Sequence, residues 1–353
     1  MDDPINICVC VSRDHDTRTP EEKAATLERF RALDARLRFR FVDYMDSAEM
    51  RALRGQPAHD EARSKVVPPS PELRAALAEA HVILAVDLPF DMHLLAPRLR
   101  WVQSVGAGIA QLQTCGLDKL DVQLTSGAGV NSDPIAEFVL ARILSHWKLF
   151  PLYEQLQRER RWVPTFGRNL SRSVLAIVGF GAIGQAVAWR AKAWGMRVLA
   201  TRRHLQPGAG DPSVDGFYPV RDLKEMLGMA DAVVLCATET PDTWRMFDAD
   251  TFAAMKQGSY FCNVARGSLV DEQALRHALE TGRLAGASID VASVEPLPPD
   301  SPLWDAPNLA ISPHCAASLE RYYDAVWDLF YDNMARYLAG KPLKNLRSCR
   351  YGE

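Results

Sequence analysis

The chain has 353 residues, of which 48% are hydrophobic and 24% are charged, and its formal net charge is −3. The composition is typical of a globular protein, and a chain of this length is too long for one ordinary core, so we expect two domains. The small negative charge argues against nucleic acid or an anionic membrane as a partner. No apolar run approaches the roughly 18 residues that a membrane span needs.

Targeting signals and metal motifs are not evident in the sequence. The N-terminus, Met1-Asp2-Asp3-Pro4, does not resemble a signal peptide. The seven cysteines are scattered, and Cys8 and Cys10 would share one face of a strand without forming a C-x-x-C motif. These features predict a cytoplasmic protein with free thiols and no metal site.

The first third of the chain alternates strand patterns with helix patterns. Strands are predicted over residues 5–11, 38–42, 81–86, 100–104 and 122–125, and helices over 20–37 and 71–80. The polar, proline-bearing stretch 54–71 is typical of a loop. This alternation predicts an α/β domain with a parallel sheet.

Two short motifs follow these strands. Residues 104–108 read S-V-G-A-G, and successive N–H groups in such a turn can hold a carboxylate, although a plain strand-to-helix turn explains the glycines equally well. In N-S-D-P at 131–134, Asp133 is the expected N-cap and Pro134 the first residue of a helix that ends near Trp147. The wide apolar faces of this helix predict deep burial. The basic and aromatic stretch 158–170 is typical of an arm or loop.

The stretch 174–184, V-L-A-I-V-G-F-G-A-I-G, organises the second domain. Five apolar residues predict a strand buried on both faces, and a G-x-G-x-x-G turn leads directly into a helix predicted over 185–194. Gly179 suits the tight turn, Gly181 allows a pyrophosphate to approach the backbone, and Gly184 allows close packing of helix on strand. The helix N-terminus favours phosphate. The stretch therefore predicts a dinucleotide site.

Further strands are predicted over residues 196–200, 231–236, 259–264, 285–290 and 309–312, and helices over 271–281 and 320–339. The pattern predicts a doubly wound parallel sheet whose ligand lies outside the carboxyl ends of the strands.

Three ionisable residues fall at or just after these predicted strand ends: Arg266, Glu295 and His314. Each alone also has an ordinary explanation, as a surface charge, a solvated loop residue and a loop histidine. Together they match what reduction of a 2-keto acid requires. Arginine can hold a carboxylate by two parallel hydrogen bonds, histidine can donate a proton near neutral pH, and a neighbouring carboxylate orients the histidine and favours its protonated form.

The sequence resembles the D-2-hydroxyacid dehydrogenase family over nearly its whole length. The matching segments are S-V-G-A-G, G-V-N-S-D-P-I-A-E-F, G-F-G-A-I-G, T-P-D-T, N-V-A-R-G-S-L-V-D, D-V-A-S-V-E-P-L-P and S-P-H. The resemblance implies two doubly wound α/β domains, a substrate-binding domain of residues 1–126 and 318–353 completed by the C-terminal helix, and a Rossmann NAD(P)-binding domain of residues 127–317. It also implies an active site between the domains and a homodimer joined through the nucleotide domains.

The resemblance assigns roles by position. Arg266 would bind the substrate carboxylate, Glu295 would pair with the acid/base His314, and Val105 and Gly106 would offer N–H groups to the substrate. The cofactor-binding positions would be Gly179, Gly181, Ala182, Ile183, Gly184, Arg202, Arg203, Ala237, Thr238, Val264, Ala265 and Asp290, the last holding the nicotinamide carboxamide. Thr238 replaces a frequent proline of the family. Cys315 replaces an aliphatic residue, which a packing role explains, although a thiol there could also make activity sensitive to oxidation.

The strand at 196–200 is followed by Thr201, Arg202, Arg203 and His204, without the acidic residue that selects NAD. Two guanidinium groups suit a 2′-phosphate, unless both point to solvent. We therefore predict that NADPH is preferred over NADH in reducing a small 2-keto acid, such as glyoxylate or hydroxypyruvate, to the D-2-hydroxy acid.

Alternative functions within the family remain open at this point. A formate dehydrogenase would typically carry glutamine in place of Glu295. A phosphoglycerate-type dehydrogenase is possible, but the chain leaves no room for the regulatory domain that many of those carry. A non-enzymatic, dinucleotide-sensing corepressor could retain all three ionisable residues.

Overall fold

The computed structural model of the chain describes residues 3–11, 16–54, 60–202, 210–318 and 320–350. The fold consists of two compact units, one formed by Met1–Val130 with Leu319–Glu353 and the other by Asn131–Ser318. Both are α/β units built on largely parallel sheets, as the sequence predicts. No helix in the described ranges is long and apolar enough to cross a membrane.

The first unit contains a six-stranded sheet with the order β13-β5-β4-β3-β1-β2, in which only β13 is antiparallel to its neighbour. Its elements in chain order are β1 Ile5–Cys10, α1 Pro20–Leu33, β2 Leu37–Val42, α2 Ala48–Arg54, α3 Asp60–Ser64, α4 Pro71–Glu79, β3 Val82–Ala85, α5 Met92–Leu95, β4 Trp101–Ser104, α6 Ala110–Gln113 and β5 Gln123–Thr125, and, after the second unit, α13 Tyr322–Leu338 and β13 Leu346–Arg347.

Both faces of this sheet are covered, and the alternation of side chains along β1 shows how. Ile7 and Val9 pack on the side of α13, whereas Cys8 and Cys10 pack on the side of α4. The two thiols lie 3.4 Å apart, which confirms that they share a face, and both are free.

The second unit contains a seven-stranded parallel sheet with the order β12-β11-β10-β9-β6-β7-β8. Its elements are α7 Ser132–Trp147, α8 Phe150–Arg158, β6 Val174–Val178, α9 Ala182–Ala193, β7 Arg197–Thr201, β8 Gly216–Tyr218, α10 Leu223–Met229, β9 Ala232–Leu235, α11 Ala249–Ala254, β10 Ser259–Asn263, α12 Glu272–Glu280, β11 Leu284–Ile289 and β12 Leu309–Ile311. Helices α7 and α9 cover one face of this sheet, and α10 to α12 cover the other.

Three sequence predictions need correction. The helix predicted over 20–37 ends at Leu33, because Asp34 is extended with φ −157°, and Leu37 already belongs to β2. The stretch 54–71 contains α3. Helix α7 begins at Ser132, and Asp133 lies inside its first turn rather than at the N-cap, where its carboxylate pairs with Arg190 at 2.9 Å.

Candidate active site and dinucleotide site

The register of the seven-stranded sheet places the ends of its strands at one edge. Val178 pairs with both Thr201 and Leu235, and the row continues through Asn263, Ile289 and Ile311. Because the strands are parallel, the residues that follow them share this carboxyl edge. They are Gly179, Arg202, Cys236, Val264, Asp290 and Ser312.

Two glycines of the motif after β6 are required by close contacts. Gly179 has φ +100°, and a Cβ there would lie 2.6 Å from Cα of Ala237. A Cβ on Gly184 would lie 2.5 Å from the carbonyl oxygen of Gly179. The turn is also held by the Gly179 N–H, which donates to Oγ1 of Thr201 at 3.0 Å. No other residue fits these positions without a shift of the backbone.

Gly181 differs from its neighbours, because nothing lies within 4 Å of the place where its Cβ would be. It is the N-cap of α9, and α9 begins at Ala182 rather than at the predicted residue 185. The first N–H groups of a helix have no partner within the helix and carry partial positive charge. Open space beside these N–H groups fits the pyrophosphate of a dinucleotide.

Arg202 directly follows the last residue of β7 and is exposed. By sequence position, Arg202 stands where a carboxylate that selects NAD would be expected. In the structure, Arg202 lies next to the strand that precedes the glycine turn, since Thr201 pairs with Val178. Arg203 lies outside the described residues. Ala237 and Thr238 follow β9, and Val264 and Ala265 follow β10.

The loop after β10 holds Arg266 through its neighbour Asn263. The buried Asn263 side chain accepts a hydrogen bond from the Ala265 N–H at 2.9 Å and donates one to the Arg266 carbonyl at 3.0 Å. The Arg266 guanidinium bonds only the Ala265 carbonyl, at 2.7 Å, and has no carboxylate partner among the described residues. It is a cation left available to bind an anion.

Gly267 brings this loop against the loop that follows β11. A Cβ on Gly267 would lie 1.9 Å from the carbonyl carbon of Ala292, so only glycine allows this approach. Glu295, on that second loop, accepts a hydrogen bond from the Ala292 N–H at 3.0 Å.

Glu295 and His314 are in direct contact, with 2.8 Å between Oε2 and Nδ1. Burial alone would raise the pKa of Glu295, but the hydrogen bonds from His314 and Ala292 and the charge of Arg266 outweigh it and lower the pKa. Glu295 is therefore ionised and can only accept, so Nδ1 of His314 must be the donor. Nε2 of His314 makes no hydrogen bond with any residue of the described ranges.

Asp290 braces the turn that carries His314. Its carbonyl accepts the His314 N–H at 2.8 Å, and its buried carboxylate accepts from Ser312 Oγ at 2.6 Å and from the N–H groups of Cys315 and Ala316, each at 2.9 Å. His314 has φ +53°, a conformation that non-glycine residues adopt only when held. The predicted contact of Asp290 with the nicotinamide carboxamide stays a prediction beside this observed role.

Sequence reasoning missed Asn263 and Ser312, which orient Arg266 and His314. Both are polar, both are buried, and both stand at or just after the end of a strand that leads to a predicted site residue. Their position at the ends of these strands is the sequence signal that could have identified them.

In the first unit, Val105 is bonded within the sheet. Its N–H donates to the Ala85 carbonyl at 2.8 Å and so continues the pairing of β3 with β4. The N–H groups of Gly106 and Ala107 donate to no acceptor within the described ranges. The predicted contacts of Val105 and Gly106 with the substrate stay predictions.

No group of three or more potential metal ligands occurs among the described residues.

Cys315, which follows His314, is exposed.

Comparison with known proteins gives a consistent result. The family model "D-isomer specific 2-hydroxyacid dehydrogenase, NAD binding domain" matches residues 140–316. A glyoxylate reductase/hydroxypyruvate reductase of Mus musculus is 30% identical over 324 residues, which is 88% of this chain and 97% of that protein.

Two solved structures are similar over almost their whole length. A D-isomer specific 2-hydroxyacid dehydrogenase from Xanthobacter autotrophicus Py2 in complex with NADPH and MES has a TM-score of 0.75 at 27% identity. An NADPH-dependent glyoxylate/hydroxypyruvate reductase from Sinorhizobium meliloti in complex with NADP and sulfate has a TM-score of 0.73 at 26% identity. In both cases the match covers 99% of this chain and 100% of the other.

Proposed function

The chain belongs to the D-isomer specific 2-hydroxyacid dehydrogenase family, and from this premise we propose that it reduces a small 2-keto acid to the D-2-hydroxy acid with NADPH. The observation that carries the proposal is the contact of His314 with an ionised Glu295 on the same sheet edge as Arg266, which has no carboxylate partner among the described residues. An NAD(P)-dependent family enzyme needs these three functions: a proton donor, its carboxylate partner and a carboxylate-binding cation.

His314 is the proposed proton donor. Glu295 holds Nδ1, which leaves Nε2 of the protonated ring to give its proton to the substrate's carbonyl oxygen while the carbonyl carbon is reduced. The negative charge of Glu295 stabilises the protonated ring before transfer. A reduced nicotinamide dinucleotide, when bound, supplies the hydride.

Arg266 is the proposed ligand of the substrate carboxylate. A guanidinium can form two parallel hydrogen bonds with a carboxylate, which fixes the orientation of a 2-keto acid as well as its position. Asn263 supports this role, because it holds the backbone on both sides of the arginine.

The proposed cofactor site is the glycine turn with the N-terminus of α9, and the proposed selector of NADPH is Arg202, together with Arg203. The exposed Arg202 guanidinium at the end of β7 suits a 2′-phosphate. Positions 201 and 202 hold no carboxylate, which would repel that phosphate. The complexes of two similar structures with NADPH or NADP support this assignment.

The proposed substrates are glyoxylate and hydroxypyruvate, after the names of the relatives. To test the proposal, the purified chain is given these two acids, pyruvate and phosphohydroxypyruvate, each with NADPH and with NADH, and the loss of reduced cofactor is followed by absorbance. Turnover of a small 2-keto acid with NADPH is expected. A chain that binds NADPH but reduces none of these acids would overturn the proposal and favour a dinucleotide-sensing role.

We also propose a cytoplasmic homodimer, in keeping with the free cysteines and with one apolar surface of the second unit. Trp189 of α9 and Trp194, the C-cap of that helix, are 66% and 43% exposed, and they line a groove with Leu140 and Leu144 of α7. A contiguous apolar patch of this kind is typical of an interface, here with a second copy of the chain. Light scattering after gel filtration measures the oligomeric state, and a Trp189→Glu variant should be monomeric.

A further inference from the structure

The turn after β4 in the first unit presents two consecutive N–H groups, those of Gly106 and Ala107, at the carboxyl edge of the six-stranded sheet. Gly106 is half-buried and Ala107 is exposed, so an oxygen of a small ligand can reach them. The proposed function makes a 2-keto acid that ligand, and the present inference rests on that function. It concerns the side chains that aim these N–H groups.

Both carbonyl groups of the turn are held from behind. The Val105 carbonyl accepts a hydrogen bond from the Tyr322 hydroxyl at 3.0 Å. The Gly106 carbonyl accepts two, from Ser104 Oγ at 3.0 Å and from the Gly127 N–H at 2.7 Å. Tyr322 is the first residue of α13 and lies 217 residues from Val105 along the chain.

Holding a carbonyl also orients an N–H group. In a planar trans peptide, the C=O and the N–H point in opposite directions. The Val105 carbonyl shares its peptide with the Gly106 N–H, and the Gly106 carbonyl shares its peptide with the Ala107 N–H. The Gly106 N–H therefore points away from Tyr322, and the Ala107 N–H points away from Ser104 and Gly127.

The Val105 carbonyl that Tyr322 contacts is also closely packed on one side. A Cβ on Gly127 would lie 2.1 Å from the Val105 carbonyl oxygen, so the backbone at 127 closes one side of this peptide. Burial raises the pKa of Tyr322 to about 12, and the phenol therefore remains a donor throughout the pH range in which the protein would work. The Tyr322 ring also packs edge-on against Tyr323, with 5.3 Å between the ring centroids.

We propose that Tyr322 is a positioning residue for substrate binding: by fixing the Val105–Gly106 peptide, it aims the Gly106 N–H, beside that of Ala107, at an oxygen of the 2-keto acid. Two successive N–H groups with this arrangement form a concave anion site. Without the phenol the Val105 carbonyl loses this hydrogen bond, and the Gly106 N–H is held less firmly in the direction of the ligand.

Tyr322→Phe tests this, because it removes one hydroxyl and keeps the ring that packs in the core. Tyr323→Phe is the matched control: Tyr323 is adjacent and buried, and its hydroxyl makes no hydrogen bond with the described residues. We measure kcat and KM for the best 2-keto acid, KM for NADPH, and inhibition by oxalate, an unreactive dicarboxylate probe.

For Tyr322→Phe, we expect KM for the keto acid and Ki for oxalate to rise about 3- to 10-fold, the loss expected for one neutral hydrogen bond. KM for NADPH and the melting temperature should stay near wild type, and Tyr323→Phe should leave all values unchanged. Ser104→Ala, which removes one of two bonds to the Gly106 carbonyl, should give a smaller rise.

Unchanged keto-acid KM and oxalate Ki in Tyr322→Phe would overturn the inference, as would an equal loss in both tyrosine variants or a parallel rise in KM for NADPH. If the wild-type chain reduces keto acids, these results leave the proposed function standing. If it reduces none, that function fails, and oxalate binding measured by calorimetry still compares the variants; absence of binding to wild type then overturns the inference as well.

Discussion

The carboxyl edges of the two sheets present different chemistry. The edge of the seven-stranded sheet presents ionisable side chains, Arg266 and His314 with Glu295, each held by buried polar neighbours. The edge of the six-stranded sheet presents main-chain N–H groups at Gly106 and Ala107, whose direction is set by carbonyl contacts behind them.

The two edges place different demands on the sequence. A role carried by a guanidinium or an imidazole restricts the residue at that position, whereas every residue except proline carries an N–H. The family model for the NAD binding domain matches residues 140–316, which lie within the second unit. Substitutions should therefore lower activity most at the edge of the seven-stranded sheet, where the side chains themselves act.

The largest effect should come from His314→Gln. Loss of the proton donor should lower kcat by on the order of 10²–10⁴ while NADPH still binds, as measured by fluorescence titration. His277→Gln, at an exposed position on α12, is the control for the same chemical change. Near-normal turnover of His314→Gln would show that His314 is not the proton donor.

Arg266→Lys should raise KM for the keto acid by roughly 10- to 100-fold, because a point charge replaces a bidentate contact worth about 1.5–3 kcal/mol. Steady-state kinetics with the keto acid varied at saturating NADPH measure this. Arg276→Lys, in a surface ion pair with Glu280, should be silent. An Arg266→Lys enzyme with wild-type KM would mean that the N–H groups at the edge of the six-stranded sheet bind the substrate without a contribution from Arg266.

Arg202→Ala should raise KM for NADPH by about tenfold through loss of a charge-assisted hydrogen bond, and KM for NADH should not change. Arg197→Ala, at the exposed start of β7 and away from its carboxyl end, is the matched control. Wild-type protein that uses NADH as well as NADPH would contradict the assignment.

Glu295→Gln should change the pH profile. The pKa of Glu295 is lowered, so wild-type activity should fall on the acid side only as pH drops through that lowered value and the carboxylate takes up a proton. The variant has no proton to gain there and should lack this acid fall.

Glu272→Gln is the control for the pH profile. The Glu272 carboxylate accepts a hydrogen bond at 2.7 Å from the N–H of Ser293, which lies on the same loop as Glu295, but it does not contact the histidine. Identical pH profiles for wild type and Glu295→Gln would contradict the pairing.

The buried strands could be predicted from sequence because continuous apolar runs admit few other structures. Strand β6 is found at the predicted residues, and most others are within one or two. The edge strands β8, Gly216–Tyr218, and β13, Leu346–Arg347, were missed because neither carries a continuous apolar run or an alternation of apolar and polar residues. Helix α1 was drawn too long because Leu37 continues its apolar spacing, and Asp133 was misplaced because its partner, Arg190, belongs to another helix.

For the candidate site, the predicted His314–Glu295 contact is found, since strand ends of a parallel sheet meet at one edge. The supporting contacts could not be predicted in the same way. Tyr322 reaches Val105 across 217 residues, and the Val105 N–H is used by the sheet itself. Sequence spacing identifies residues that can act, whereas the side chains that hold them depend on three-dimensional packing.

The return of the chain to the first unit has a consequence for its synthesis. Phe30 and Trp101 pack on Phe330 of α13, with ring centroids 5.4 and 5.2 Å apart. At about 5–20 residues per second, a ribosome needs roughly 10 to 40 s to travel from Val130 to Phe330. During that time one face of the first sheet lacks α13, one of the helices that cover it, whereas the second unit emerges as one continuous segment that can fold first.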